Sequence, residues 1–149
     1  MEPLQETRSL LLQLIADTSR HVDIACTHLE PLLLSDEALA AALTALARRG
    51  SHTRIRLLAS HVTAQELSSH KLLLLAKRLT TAMEFRLLVE HPEWPDATWI
   101  LCDQSQGLVF NSRAHRAYLV PDRARAKSMT DRFERLWQAA GPSPEMRQF

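Results

Sequence analysis

Three times in its first ninety residues the sequence passes from apolar residues at helical spacing to a short alternating run, and such a chain lays parallel strands side by side through helical crossovers. In the first unit a helix starting at Pro3 or Glu6 carries Leu10, Leu11, Leu14 and Ile15 and stops at Asp17-Thr18-Ser19. His21 to Thr27 follows as a strand with Val22, Ile24 and Cys26 on one face. In the second, Ser35 is placed to cap a helix with an acidic first turn, Asp36-Glu37, and a basic last turn, Arg48-Arg49. Leu39, Ala42, Leu43 and Leu46 form its stripe, Gly50 stands where a left-handed stop favours glycine, and Arg54 to Ala59 is the strand. The third opens on the capping box Thr63-Ala64-Gln65-Glu66 and turns Leu67, Leu72, Leu75 and Leu79 inward as one helix. Its strand holds Met83, Phe85, Leu87 and Val89 on one face.

From Glu90 the rhythm changes. Glu90 to Asp96 is a loop with Pro92 and Pro95, and Trp99–Asp103 and Leu108–Asn111, joined by Gln104-Ser105-Gln106-Gly107, make an antiparallel hairpin. Ala117 to Val120 adds a strand before Pro121. Asp122 caps a closing helix that presents Met129, Phe133, Leu136, Trp137 and Ala140, and Gly141-Pro142 ends it. The expected fold class is α/β: a mixed sheet with parallel early strands, crossover helices, an antiparallel C-terminal meander and a closing helix. With 149 residues, 46% of them hydrophobic, one core suffices, so residues 1–141 read as a single domain and 142–149 as a mobile tail.

Several chemistries are excluded by motif. Gly50, Gly107 and Gly141 are the chain's three glycines, too few and too scattered for a Walker loop or a dinucleotide-binding turn. Neither a Gly-x-Ser-x-Gly elbow nor a His-Glu-x-x-His helix is present. Cys26 and Cys102 match no zinc spacing and read as free thiols of a reducing compartment. The acidic start, Met1 to Glu6, is unlike a signal peptide, and no apolar run approaches the ~18 residues of a membrane span, so a cytoplasmic location is expected. The seven histidines form no pair at i, i+3 or i+4, and Cys26 with His28 lacks further ligands, so no metal and no cofactor is expected.

The charge is uneven. Residues 1–50 hold 4 basic and 7 acidic side chains, residues 51–149 hold 14 and 10. On the third helix His70-Lys71 and Lys77-Arg78 stand seven apart, and with Arg54, Arg56 and Arg86 on neighbouring strands they suit a phosphate or carboxylate, Arg as a planar fork and Lys as a point charge. The alternative is a solvated edge paired with Glu66, Glu84 or Glu90. Asp103 either bonds the backbone of its turn or faces Arg86 or Lys71 and orients a binding group. A second set, Arg113, Arg116, Arg123, Arg125 and Lys127, is a solvated rim or an anion-binding surface. Trp99, Phe133 and Trp137 read as core.

This order of elements, the strand end Leu58-Ala59-Ser60 and Asp103 make the chain resemble one half of the phospholipase D-like superfamily over roughly residues 7 to 138. The family signature is His-x-Lys, four residues, Asp, then Gly-Ser-x-Asn. Aligned on Asp103, this sequence has Asp96 and Thr98 at the His and Lys positions, and Phe110, Asn111 and Arg113 at Gly, Ser and Asn. The resemblance therefore implies a degenerate relative without the signature nucleophile, and a homodimer, because active members build one site from two such domains.

Three functions compete. The first is a non-catalytic binding or regulatory module that takes an anionic small molecule or phosphate-containing ligand on His70, Lys71, Arg78 and Arg86 with Asp103. Nucleic acid is compatible with this without being indicated. The second is a divergent phosphodiesterase with His70 or His61 as nucleophile or general acid, Lys71 stabilising charge and Asp103 orienting the imidazole. The third is a structural dimerisation domain.

Overall fold

The computed structural model describes residues 3–29, 33–50, 52–111, 113–114 and 116–141. Its elements are α1 (Pro3–Ala16), β1 (His21–His28), α2 (Glu37–Ala47), β2 (Arg54–His61), α3 (Ala64–Ser69), α4 (Lys71–Arg78), β3 (Met83–Leu87), β4 (Thr98–Cys102), β5 (Gln106–Asn111), β6 (Arg116–Leu119) and α5 (Arg123–Ala140). The expected tail, 142–149, lies outside the described residues.

The six strands form one sheet in the order β3-β2-β1-β4-β5-β6. β1, β2 and β3 run parallel, and β4, β5 and β6 continue antiparallel from β1. This is the expected mixed α/β architecture. Period-two alternation sends Val22, Ile24, Ile55, Leu57, Met83, Phe85, Ile100 and Leu108 to one face, where Leu11, Leu39, Leu43, Leu72 and Leu75 from α1, α2 and α4 cover them. Ala25, Leu58, Trp99, Leu101 and Val109 go to the other, under Met129, Phe133, Leu136 and Trp137 of α5. Trp99, Phe133 and Trp137 are buried as expected.

The α5 face also carries charge. Asp23 and Arg56 are cross-strand neighbours whose side chains meet at 2.8 Å, and Arg56 reaches Glu134 on α5, also at 2.8 Å. The guanidinium lies 5.0 Å from the Phe133 ring centre, so α5 is held by an ion pair and by stacking at once. Burial pushes the Asp23 carboxyl up more than its bonds to Arg56 bring it down.

Five local expectations are corrected. The third helix is two helices, broken at His70, which ends α3 and starts α4. The Thr63–Glu66 capping box opens α3, as the spacing indicates. Asp36, not Ser35, is the N-cap of α2, and α2 ends on Arg48 in right-handed geometry, so Gly50 supplies no left-handed stop. In the hairpin the positive φ values fall on Asp103 (53°) and Gln104 (59°), while Gly107 lies within β5. An added Cβ there would stand 3.0 Å from both the Leu101 and Val120 side chains and 3.1 Å from the Ile100 carbonyl, so Gly107 sits where space is tight rather than in a turn. Leu10, placed on the inner stripe of α1, is 43% exposed.

Candidate functional site

The strand order reverses at β1, with β2 and β3 on one side and β4 to β6 on the other. In an open α/β sheet the crevice outside the strand ends at such a reversal is where ligands bind. The carboxyl ends of β1 and β2, His28 and His61, lie at this end. So does the start of β4, since Trp99 pairs with Ala25 and Thr98 with Phe110, and the end of β5 at Asn111. Asp96, Thr98 and Asn111 are thus gathered at the reversal, whereas Asp103 lies at the opposite end of the sheet, at the start of β1.

On the α5 side of this end is a cleft of about 400 Å³ whose polar lining comes from Asp96, Asn111, Tyr118, Arg125, Ser128 and Arg132, with Trp99 and Val109 among its apolar walls. Register explains the grouping: Val109 pairs with Tyr118 and Asn111 with Arg116, so these four share one face. Arg132 is fixed, its guanidinium 5.1 Å from the Trp99 ring centre and its Nε donating to the Glu93 carbonyl. The Glu93 carboxylate takes both nitrogens of the Arg135 fork, at 2.7 and 3.1 Å, which holds it below its usual range. That acid is already engaged. Arg125 has no carboxylate partner among the described residues. Asn111 Oδ1 accepts the N–H groups of Arg113 and Ala114, which leaves its amide NH2 to donate. Tyr118 is 56% exposed on the edge strand. Such a cleft can hold an anion on a guanidinium fork and stack a flat ring, and its lining includes no imidazole or thiol.

The residues expected to form one site are not brought together. His70 is 5% exposed and its Nδ1 accepts the Leu72 N–H at 3.2 Å, so it serves as a helix cap. Lys71 pairs with Glu37 at 3.2 Å, and with Arg48, Lys77 and Arg78 it borders a groove of about 1000 Å³ between α2 and α4. Arg86 points to the opposite face of the sheet. There it donates to Glu84 at 2.8 Å and to the Trp137 carbonyl at 2.9 Å, and lies 4.2 Å from the Trp137 ring centre. Asp103 takes the N–H groups of Ser19, Arg20 and His21 at 2.8, 2.9 and 2.9 Å. Burial works against its charge, but these three donors outweigh it and hold the carboxyl below its usual range.

That grip places Asp103 at the start of β1, whereas His61 stands beside His28 at its end, about 23 Å away at strand rise. The catalytic constellation of His61 or His70 with Lys71 and Asp103 is therefore not assembled. Thiol chemistry has no support either: Cys26 and Cys102 are buried and not joined in a disulfide, and burial pushes the Cys102 thiol up to about 12.

The family model described as Domain of unknown function (DUF7931) matches residues 3–149. The chain belongs to this family. No curated protein matches the sequence. Among solved structures, TrmBL2, titled an archaeal chromatin protein with a novel mode of DNA binding, is similar at 14% identity and a TM-score of 0.67. The match covers 94% of this chain and 52% of that one, so this DUF7931 chain spans about half the length of TrmBL2. NucT from Helicobacter pylori is similar at 12% identity and a TM-score of 0.65, over 94% of this chain and 92% of NucT. At these identities the likeness shows the fold alone, a mixed α/β sheet with parallel early strands and a closing helix, consistent with a phospholipase D-like half-domain.

The sequence named Asp96, Asn111 and Arg125 separately and did not group Tyr118, Ser128 and Arg132 with them as partners of the DUF7931 cleft. Tyr118, the chain's one tyrosine, on a short strand among arginines, was the available signal. Nor did the sequence show the meeting of His28 and His61, which strand register alone creates.

Proposed function

We propose that this DUF7931 chain is a non-catalytic recognition module for a phosphate-type group, and that the ligand sits in the cleft between β4–β6 and α5. The observation that carries the reading is the Arg125 guanidinium, unpaired among the described residues, beside the fixed Arg132 and the Asn111 amide at the reversal of the strand order. Arg116, on the same sheet face as Tyr118, extends the positive rim. Neighbours of the same fold allow a binding or a phosphodiesterase-type role, and one of them, TrmBL2, is a DNA-binding chromatin protein. Binding is favoured here because the cleft offers cations and donors, while the positions of the signature His and Lys hold Asp96 and Thr98. The α4 cations that sequence spacing favoured belong to a different surface.

The test is the affinity for a short fluorescent single-stranded oligonucleotide, a plain phosphodiester chain, measured across a salt series. Arg125→Ala weakens binding several-fold and lowers the slope of log affinity against log salt by about one. Unchanged affinity and slope in that variant would remove the cleft from consideration. Hydrolysis of a chromogenic phosphodiester that disappears in His61→Ala would replace the binding reading with the enzymatic one.

In the same reading two copies of the chain pair, as the resemblance implies. β6 ends the sheet as a free edge with Tyr118 and Leu119 exposed, a surface on which a second strand can add. Light scattering that gives twice the 16.9 kDa chain mass agrees with this, and the monomer mass contradicts it.

A further inference from the structure

Where β1 and β2 run out, His28 and His61 face each other. They are register partners of the parallel ladder, on the face that Cys26 and Ala59 occupy one step earlier, and both are exposed. Their ring centres are 5.0 Å apart with the planes 30° from parallel. Neighbouring strands lie about 4.8 Å apart, so two imidazoles in this register start from Cα atoms at about that separation and lean the same way.

The bonds of Ser60 favour one tautomer of the His61 ring. Ser60 Oγ has one hydrogen and donates it to the Val89 carbonyl at 2.8 Å. At its 2.9 Å contact with His61 Nδ1 the same oxygen therefore accepts, and the proton sits on Nδ1. The lone pair of His61 is then on Nε2. This is the arrangement of a metal-ligating histidine, whose second ring N–H is given to an oxygen that sets the tautomer and orients the ring.

We propose that His28 and His61 form a two-imidazole site for a late first-row divalent cation of the Cu2+, Ni2+ or Zn2+ class. Imidazole suits these ions and at about 2.1 Å per bond the two nitrogens close to roughly 3.4 Å around one of them, so the two exposed rings turn out of their 30° stack until their in-plane lone pairs meet at the ion. The remaining coordination positions are open to water or to an oxygen of another ligand. Cys26 does not join, since its thiol is buried and points its hydrogen bond at the Leu58 carbonyl at 3.8 Å. Among the described residues no cluster of three or more His, Cys, Asp or Glu side chains is present, so the pair is the whole contribution of the described residues. The site is independent of the anion cleft, which opens on the other face of the sheet.

The test is calorimetric titration of the full, untagged, chelator-stripped chain with Cu2+, Ni2+ and Zn2+ in turn. One ion binds per chain, with Cu2+ the tightest, and His28→Ala or His61→Ala each weakens binding about tenfold or more. His52→Ala and His91→Ala leave it unchanged. Should either alanine variant lose its far-UV circular dichroism, His28→Gln and His61→Gln replace them, and Cu2+ electron paramagnetic resonance then reads the loss of imidazole nitrogen coupling. Binding that survives both substitutions, or falls equally in the His52 and His91 variants, overturns the proposal, as does the lack of any saturable binding.

Discussion

At His70 one imidazole closes the gap between two helices. Its backbone N–H donates to the Glu66 carbonyl to finish α3, and its Nδ1 accepts the Leu72 N–H to begin α4. An acceptor at Nδ1 requires the neutral ring, and burial lowers the pKa below the ordinary histidine value, with Glu66 opposing. Because the folded value is depressed, the unfolded chain binds the proton more readily. The contribution to stability is therefore complete above the unfolded value of about 6.5 and is lost as pH falls below it. In urea unfolding at about pH 7.5 and 5.5, the wild type should lose more stability than His70→Asn, whose cap does not titrate. Equal losses in the two proteins would show that the cap does not depend on the neutral ring. Asp103 is the contrasting residue: sequence offered it either to its turn or to a cationic ligand group, and the backbone of Ser19, Arg20 and His21 takes it.

Periodicity revealed the elements and missed how they end. The stripes of α2 and α5 and the alternation in β1 to β3 were legible because burying an apolar face leaves its period in the chain. The break between α3 and α4 was not, since Leu67, Leu72, Leu75 and Leu79 keep helical spacing across it and only the extended backbone of His70 (ψ 130°) marks it. That break is why the seven-residue spacing of His70 to Lys77 gave a misleading face: His70 caps α4 from outside while Lys77 donates to the Leu67 carbonyl at 2.9 Å. Arg86 fails for a simpler reason. It alternates with Met83 and Phe85 on β3, so strand period two sends it away from the helix that carries Lys71. Register is the other hidden quantity. His28 and His61, or Asn111 and Arg116, are neighbours by pairing alone, and sequence spacing holds no trace of it.

The two faces of the sheet do different work. Under α1, α2 and α4 the core is apolar, mostly aliphatic with Phe85 and Phe110, whereas the α5 face mixes Trp99, Phe133 and Trp137 with Asp23, Arg56, Glu84 and Arg86. α5 is thus positioned by charge and aromatic contacts as well as by burial, and its first half, with Arg125, Ser128 and Arg132, walls the cleft. The element order was sufficient to indicate the phospholipase D-like architecture, and the architecture indicates where on the sheet a ligand belongs. It does not say which side chains remain there to meet one. That question separates two positive surfaces: the cleft at α5 and the groove between α2 and α4. The most direct measurement is amide and side-chain NMR shift mapping of the isotope-labelled chain during titration with the short single-stranded oligonucleotide. Saturable shifts centred on Asn111, Tyr118, Arg125 and Ser128 are the predicted result, and shifts centred on Lys71, Leu74 and Arg78 would contradict the account.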